Sequence, residues 1–270
     1  MALITRLDLP RNLHVAVHRK PTGVAPTVVL LHGIGSSAAM WHKIESKLPK
    51  EVGVITVDLL GFGQSPKPSK ASYNVRQQAR SVAYTLIRLR LNRKAIIIGH
   101  SMGSLIAIEI AKRYPLLVRS LILVSPPIYR TAAERLNVLR PEELLKRAYK
   151  KLNSVVEKYP KKAIQIASKA ANSKFMPGAF SLNDSTLKPY ISAMQTSIID
   201  QSAYQDVASL RLPVRMIYGS FDPFVIGSNL RRLSKSSTNI SLKRILAFHD
   251  VNELYKKPIL KAVEDLRRNT

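Results

Sequence analysis

Gly99-His100-Ser101-Met102-Gly103 sets a serine between two glycines at the spacing G-x-S-x-G. A serine hydroxyl attacks a carbonyl only when a neighbouring base takes its proton, so the chemistry this pattern offers is acyl transfer through a covalent serine intermediate. The spacing suits a sharp strand-to-helix turn. The serine backbone is strained there, and flanking glycines remove the Cβ atoms that would clash. Residues 95–98 (AIII) read as a strand running into the turn, and residues 104–114 read as a helix leaving it. An ordinary Gly-Ser-Gly surface turn would satisfy the pattern but would need neither flank.

Acyl transfer also needs donors for the oxyanion and a base held by an acid. The N–H of Met102 follows the nucleophile directly. A second donor is expected at Ile34, in the turn His32-Gly33-Ile34-Gly35-Ser36 that ends the apolar run 27–31 (TVVLL). His32 in that turn reads as a buttress of the loop rather than as the base. His249 is the only histidine after Ser101, and it is the expected base. Asp222, in Gly219-Ser220-Phe221-Asp222-Pro223 after the run 214–218 (VRMIY), is the expected acid, since a carboxylate at a strand's C-terminal end reaches the same sheet edge as Ser101. Asp250 is the rival. Adjacent side chains seldom converge on one hydrogen bond, which favours Asp222.

Positioning these groups takes a sheet. Continuous apolar runs at 27–31, 52–57 (VGVITV), 95–98, 121–124 (LILV) and 214–218 suit strands covered by helices on both faces. Helical patterns at 38–48, 75–91 and 102–114 alternate with them, which predicts a mostly parallel, doubly wound α/β sheet. The segments 7–9 and 13–17 are expected at an antiparallel edge. Between residues 126 and 212 the pattern changes to Lys- and Ala-rich amphipathic helices, expected at 141–152, 154–171 and 187–199 with a loop near 174–184. This stretch reads as a helical lid inserted into a core formed by residues 1–125 and 213–270. Lid residues Phe175, Met176, Phe180 and Met194 are candidates for an acyl pocket, although apolar helix stripes usually serve only the core.

The bulk composition narrows the partners. The 270 residues contain no cysteine, which removes disulfides, thiolate metal sites and a cysteine nucleophile. The histidines lack paired metal-ligand spacing, and no cofactor is expected. Arg6, Asp8 and Arg11 interrupt the N-terminal stretch where a signal peptide would be apolar, and a cytoplasmic location is the default expectation. Lys and Arg number 43 against 17 Asp and Glu, a formal charge of +26. That excess predicts nonspecific adhesion to anionic surfaces, whereas no nucleic-acid-binding signature accompanies it and no specific nucleic-acid partner is expected.

With these residues assembled, the chain resembles the α/β-hydrolase superfamily, in its lid-bearing serine esterase and lipase-like branch. The likeness rests on HGIGSS at 32–37, DLLGFGQS at 58–65, GHSMGS at 99–104, YGSFDP at 218–223, and His249 with Pro258 downstream. It implies the α/β-hydrolase fold, with Ser101, Asp222 and His249 as triad and the N–H groups of Ile34 and Met102 as oxyanion hole. It gives Asp58 and Ser65 a structural role only. Phe248 stands where the family usually has glycine before its histidine. The reaction the likeness implies is hydrolysis of a small-molecule carboxylic ester with a small or medium apolar acyl group. C–C bond hydrolysis and acyl transfer use the same triad, and a non-catalytic receptor on this fold is the reading from another class.

Overall fold

A computed structural model describes residues 9–91, 93–130, 141–171, 182–199, 201 and 203–268. Its seven strands are β1 (Val15–Arg19), β2 (Thr27–Leu31), β3 (Gly53–Val57), β4 (Ala95–His100), β5 (Val118–Val124), β6 (Val214–Gly219) and β7 (Ile240–Ile245). They form one sheet in the order β1-β3-β2-β4-β5-β6-β7. Only β1 runs antiparallel, pairing with β3 at the edge. The fold is the mostly parallel, doubly wound α/β sheet that the apolar runs predict.

Strand side chains alternate between two apolar layers, which is why the central runs are apolar at every position. Val29, Leu31, Ile55, Val57 and Ile97 face one layer. Covering them are α2 (Val75–Arg88), through Ala79, Val82 and Leu86, and α3 (Met102–Arg113), through Ile106 and Ile110. Val28, Leu30, Val54, Ile96 and Ile98 face the other layer, with Trp41, α1 (His42–Glu45) and α9 (Glu253–Arg268). Tyr255, Ile259 and Val263 of α9 are fully buried there.

Between β5 and β6 lie α4 (Pro141–Lys158), α5 (Pro160–Ala171), α6 (Asp184–Ala193), a π-helical turn (Met194–Ile199) and α7 (Ala203–Ser209). After β6 comes α8 (Gly227–Ser236). Several details depart from the sequence reading, among them helix α8, which it did not give, and the start of α6 at Asp184 rather than at residue 187. The first helix of the stretch runs past residue 152 to Lys158 and breaks at Tyr159, because Pro160 cannot supply the N–H that would continue it. Strand β7 was not expected: its sequence ISLKRI places Lys243 and Arg244 on a half-exposed edge, so it lacks the continuous apolar run of a buried strand.

Candidate active site

The turn between β4 and α3 carries Ser101 at φ 52° and ψ −120°. Its N–H donates to the Val124 carbonyl at 2.9 Å, which fixes the turn against β5. The two motif glycines are required by close approach. A Cβ on Gly103 would lie 2.5 Å from the Leu31 carbonyl oxygen and 2.6 Å from that of His32, so only glycine lets α3 sit against the end of β2. A Cβ on Gly99 would run into the Gly103 carbonyl. The turn therefore depends on backbone contacts that no side chain can replace.

Asp222 follows β6 and His249 follows β7, so neighbouring parallel strands deliver both to the sheet edge that holds Ser101. The Asp222 carboxylate only accepts, so His249 Nδ1–H donates to Oδ2, at 2.7 Å. In the neutral ring Nε2 is then bare and accepts from the Ser101 hydroxyl at 3.0 Å. The other carboxylate oxygen of Asp222 accepts the Phe224 N–H at 2.9 Å. Its side chain is fully buried, whereas His249 is 17% exposed. Of the two candidate acids, Asp222 and not Asp250 meets the imidazole. Asp250 lines the cavity instead, and burial raises its pKa.

Phe248 in place of glycine leaves His249 within reach of both partners. Its ring turns outward onto Phe221, with centroids 5.6 Å apart. Its carbonyl accepts from the Tyr255 hydroxyl at 2.6 Å, and that hydroxyl also meets Ser125 Oγ at 2.9 Å. Gly219 admits the loop, since a Cβ there would sit 2.6 Å from the Phe248 carbonyl oxygen.

Two further histidines surround the site without entering this chain of bonds. His100 Nε2–H donates to the His249 carbonyl at 2.9 Å, and its Nδ1 has no partner among the described residues. Burial, reinforced by the nearby His249, pushes its pKa down to about 3, so it stays neutral. His32 donates from Nδ1 to the Gly33 carbonyl at 2.7 Å and accepts the Leu59 N–H on Nε2 at 2.9 Å. Burial lowers it to about 4. His32 is thus the loop buttress its position suggested. Asp58 also acts structurally, accepting from Ala38 N–H at 2.7 Å and Gln64 N–H at 2.9 Å and meeting His14 Nδ1 at 3.0 Å.

Above Ser101 lies a cavity of about 130 Å³, lined by Ile34, Met40, Tyr149, Leu152, Tyr190, Met194, Ile198 and Phe224, with Ser36, His100, His249 and Asp250. Ile34 is thereby beside Ser101, and a Cβ on the preceding Gly33 would lie 3.2 Å from Ser101 Cβ. Met102 opens α3, where first-turn N–H groups have no intrahelical partner and suit negative charge. Of the expected pocket residues, Met194 lines the cavity, and Phe175, Met176 and Phe180 lie outside the described residues. Tyr149, Leu152, Tyr190, Ile198 and Phe224 were not anticipated. Phe224 had a sequence signal, two residues after Asp222, and its ring meets His249 edge-on at 4.9 Å. Among the described residues no three His, Cys, Asp or Glu side chains group to hold a metal, and no helix is long and apolar enough to cross a membrane.

A doubly wound sheet with a serine on a strained turn after its central strand, and a carboxylate and a histidine following its last two strands, defines an α/β architecture built around a serine–histidine–aspartate relay. Residues 26–252 match the alpha/beta hydrolase fold family, and the chain belongs to it. An uncharacterized protein of Mycobacterium tuberculosis is 42% identical over 103 residues, which cover 38% of this chain and 30% of that protein. The match therefore spans less than a third of this relative's length. The 2-(acetamidomethylene)succinate hydrolase of Mesorhizobium japonicum is 27% identical over 276 residues, covering 96% of this chain and 92% of that protein. The enol-lactonase of Burkholderia xenovorans shares the fold, with a TM-score of 0.69 at 21% identity over 94% of this chain and 95% of that one.

Proposed function

We propose that this protein is a serine esterase that cleaves small esters with an apolar, uncharged acyl group. Carrying the proposal is the relay from Ser101 Oγ through His249 to Asp222, at 3.0 and 2.7 Å, beneath an apolar cavity. In this reading Ser101 Oγ attacks the ester carbonyl as its proton passes to His249 Nε2. Asp222 stabilises the imidazolium, and the N–H groups of Ile34 and Met102 receive the oxyanion. The C–O bond then breaks and His249 returns the proton to the departing alkoxide. Water then attacks the acyl-enzyme, giving its proton to His249; the bond to Ser101 Oγ breaks, the acid leaves, and His249 returns the proton to Ser101. Helices α4 and α6 and the π-helical turn act as the lid that closes the acyl site.

Cavity size and lining select the acyl group. A cavity of about 150 Å³ holds a benzene-sized guest, so about 130 Å³ suits acyl chains of about two to six carbons. No Lys or Arg lines it among the described residues, despite the +26 charge. A carboxylate-bearing substrate, such as the succinate that the Mesorhizobium enzyme's name gives, would lack a counter-ion there among the described residues. The lactonase relative supports ester chemistry, since a lactone is a cyclic ester. Turnover of a p-nitrophenyl ester series, compared between wild type and Ser101→Ala, tests the proposal. Hydrolysis that peaks at short acyl chains and is lost in the variant, with fluorophosphonate labelling of Ser101, is the expected result. Equal turnover in Ser101→Ala, or no turnover and no labelling of the wild type, overturns it.

A further inference from the structure

Helix α4 carries two apolar stripes, and only one is packed, chiefly against α6 and the π-helical turn. Leu145, Tyr149, Asn153 and Val156 recur three and four residues apart and face inward, with Tyr149, Asn153 and Val156 buried. A second series, Leu144, Ala148, Leu152, Val155 and Tyr159, follows the same spacing and faces solvent. Leu144 is 68% exposed, and Leu152, Val155 and Tyr159 are each about half exposed. At about 100° per residue these five positions fall within an arc of roughly 80° beside the buried face. Ile166 of α5, 67% exposed, is a further apolar side chain left in solvent close along the chain.

The polar border of that stripe is basic. Arg147 lies one turn from Leu144, and Lys151 and Lys158 each lie one turn from Val155. Glu157 falls on the opposite side of the helix, and Glu143 lies one turn from Arg147, farther from the stripe than that cation. Lys158 and Lys162 stand over the Tyr159 ring at 5.4 and 5.7 Å, which extends the cationic border across the break between α4 and α5. An exposed apolar strip edged with cations is the pattern of a helix that lies in a membrane interface, with apolar side chains among the acyl chains and Lys and Arg at the headgroups. The stripe also reaches the cavity, because Leu152 lines it together with Tyr149 on the inner face of the same helix.

We propose that the outer face of α4, with Ile166 of α5, docks this protein on an anionic lipid bilayer and turns the mouth of the Ser101 cavity toward the lipid. The occupant is a bilayer rather than a second protein because charge complementarity selects it. The border is cationic and the whole chain carries +26, so a second copy would repel while an anionic surface attracts. Docking requires no hydrolysis and stands apart from the proposed esterase activity.

The test is sedimentation of the full chain with vesicles of pure phosphatidylcholine and of an equimolar phosphatidylcholine–phosphatidylglycerol mixture, in low and high salt. Wild type and Ser101→Ala are expected to bind the anionic vesicles alike, more weakly in high salt, and to leave the neutral ones free. The exposed-site variants Leu144→Ser with Ile166→Ser, and separately Arg147→Glu with Lys151→Glu, are each expected to weaken binding about tenfold or more, with thermal melting unchanged. A Val155→Trp variant reads insertion. The native Trp41 is fully buried and gives a constant background, so a blue shift with anionic vesicles reports the new side chain entering lipid. Three outcomes overturn the proposal: no binding; binding that the apolar substitutions leave intact and that produces no blue shift, which is adhesion by scattered charge; or a dimer in sedimentation velocity that the serine substitutions dissolve.

Discussion

The sheet edge and the helices between β5 and β6 meet over one cavity, yet they are specified in different ways. At the edge, backbone geometry decides. Ser101 is held at positive φ, Gly99 and Gly103 allow helix α3 to close on β4 and β2, and Gly219 admits the loop that carries His249. The helices above contribute through side chains instead: Tyr149, Leu152, Tyr190, Met194 and Ile198 contribute size and apolarity but take no part in the relay. The edge is thus fixed by backbone collisions at its glycines, and the shape of the cavity above it by the side chains that line it.

Substitutions on the two sides should separate those roles. The largest effect is expected at the edge, where Asp222→Asn removes the carboxylate that sets the His249 tautomer. It should lower kcat/KM by about 10⁴-fold for every ester while the urea midpoint stays close to wild type. A loss confined to long-chain esters would put the residue's role in binding and blur the distinction. On the helix side, Met194→Ala should enlarge the cavity and shift the preference toward longer acyl chains by about tenfold, measured as a ratio of kcat/KM values. A uniform fall across the series would instead tie Met194 to the chemistry.

A smaller effect concerns acid. Burial holds His100 and His32 neutral, with pKa values pushed down to about 3 and about 4 from the ordinary 6.5. At these two sites the unfolded chain therefore binds more protons than the folded one below pH 6.5. Stability is complete above that pH and falls as the pH drops toward the folded values, by up to about 1.4 kcal/mol per pH unit for each histidine. Urea unfolding between pH 7 and pH 5 should show a declining midpoint. A flat profile would mean that the edge does not depend on uncharged imidazoles.

The same contrast explains what could be read from sequence. The runs at 27–31 and 95–98 announce their strands because both faces are covered, and G-x-S-x-G announces its turn because its glycines answer backbone collisions. His249 stood alone after Ser101, and Asp222 followed a strand. β7 stayed hidden because Lys243 and Arg244 interrupt its pattern at an exposed edge. Tyr149 and Tyr190 stayed hidden because the packing of α4 and α6 over the sheet is long-range information, and an apolar residue on a helix looks the same whether it lines a cavity or fills a core.

The hydroxyl of Tyr255 also bears on how the chain assembles during synthesis. It ties α9 to Ser125 and to the Phe248 carbonyl, so the loop bearing His249 is held by a helix that the ribosome makes after it. Ser101 precedes His249 by 148 residues. At about 5–20 residues per second, between about 7 and 30 s separate the two during translation. The serine turn thus leaves the ribosome well before the loop that carries His249, and that loop gains its anchor only when α9 has emerged and docked.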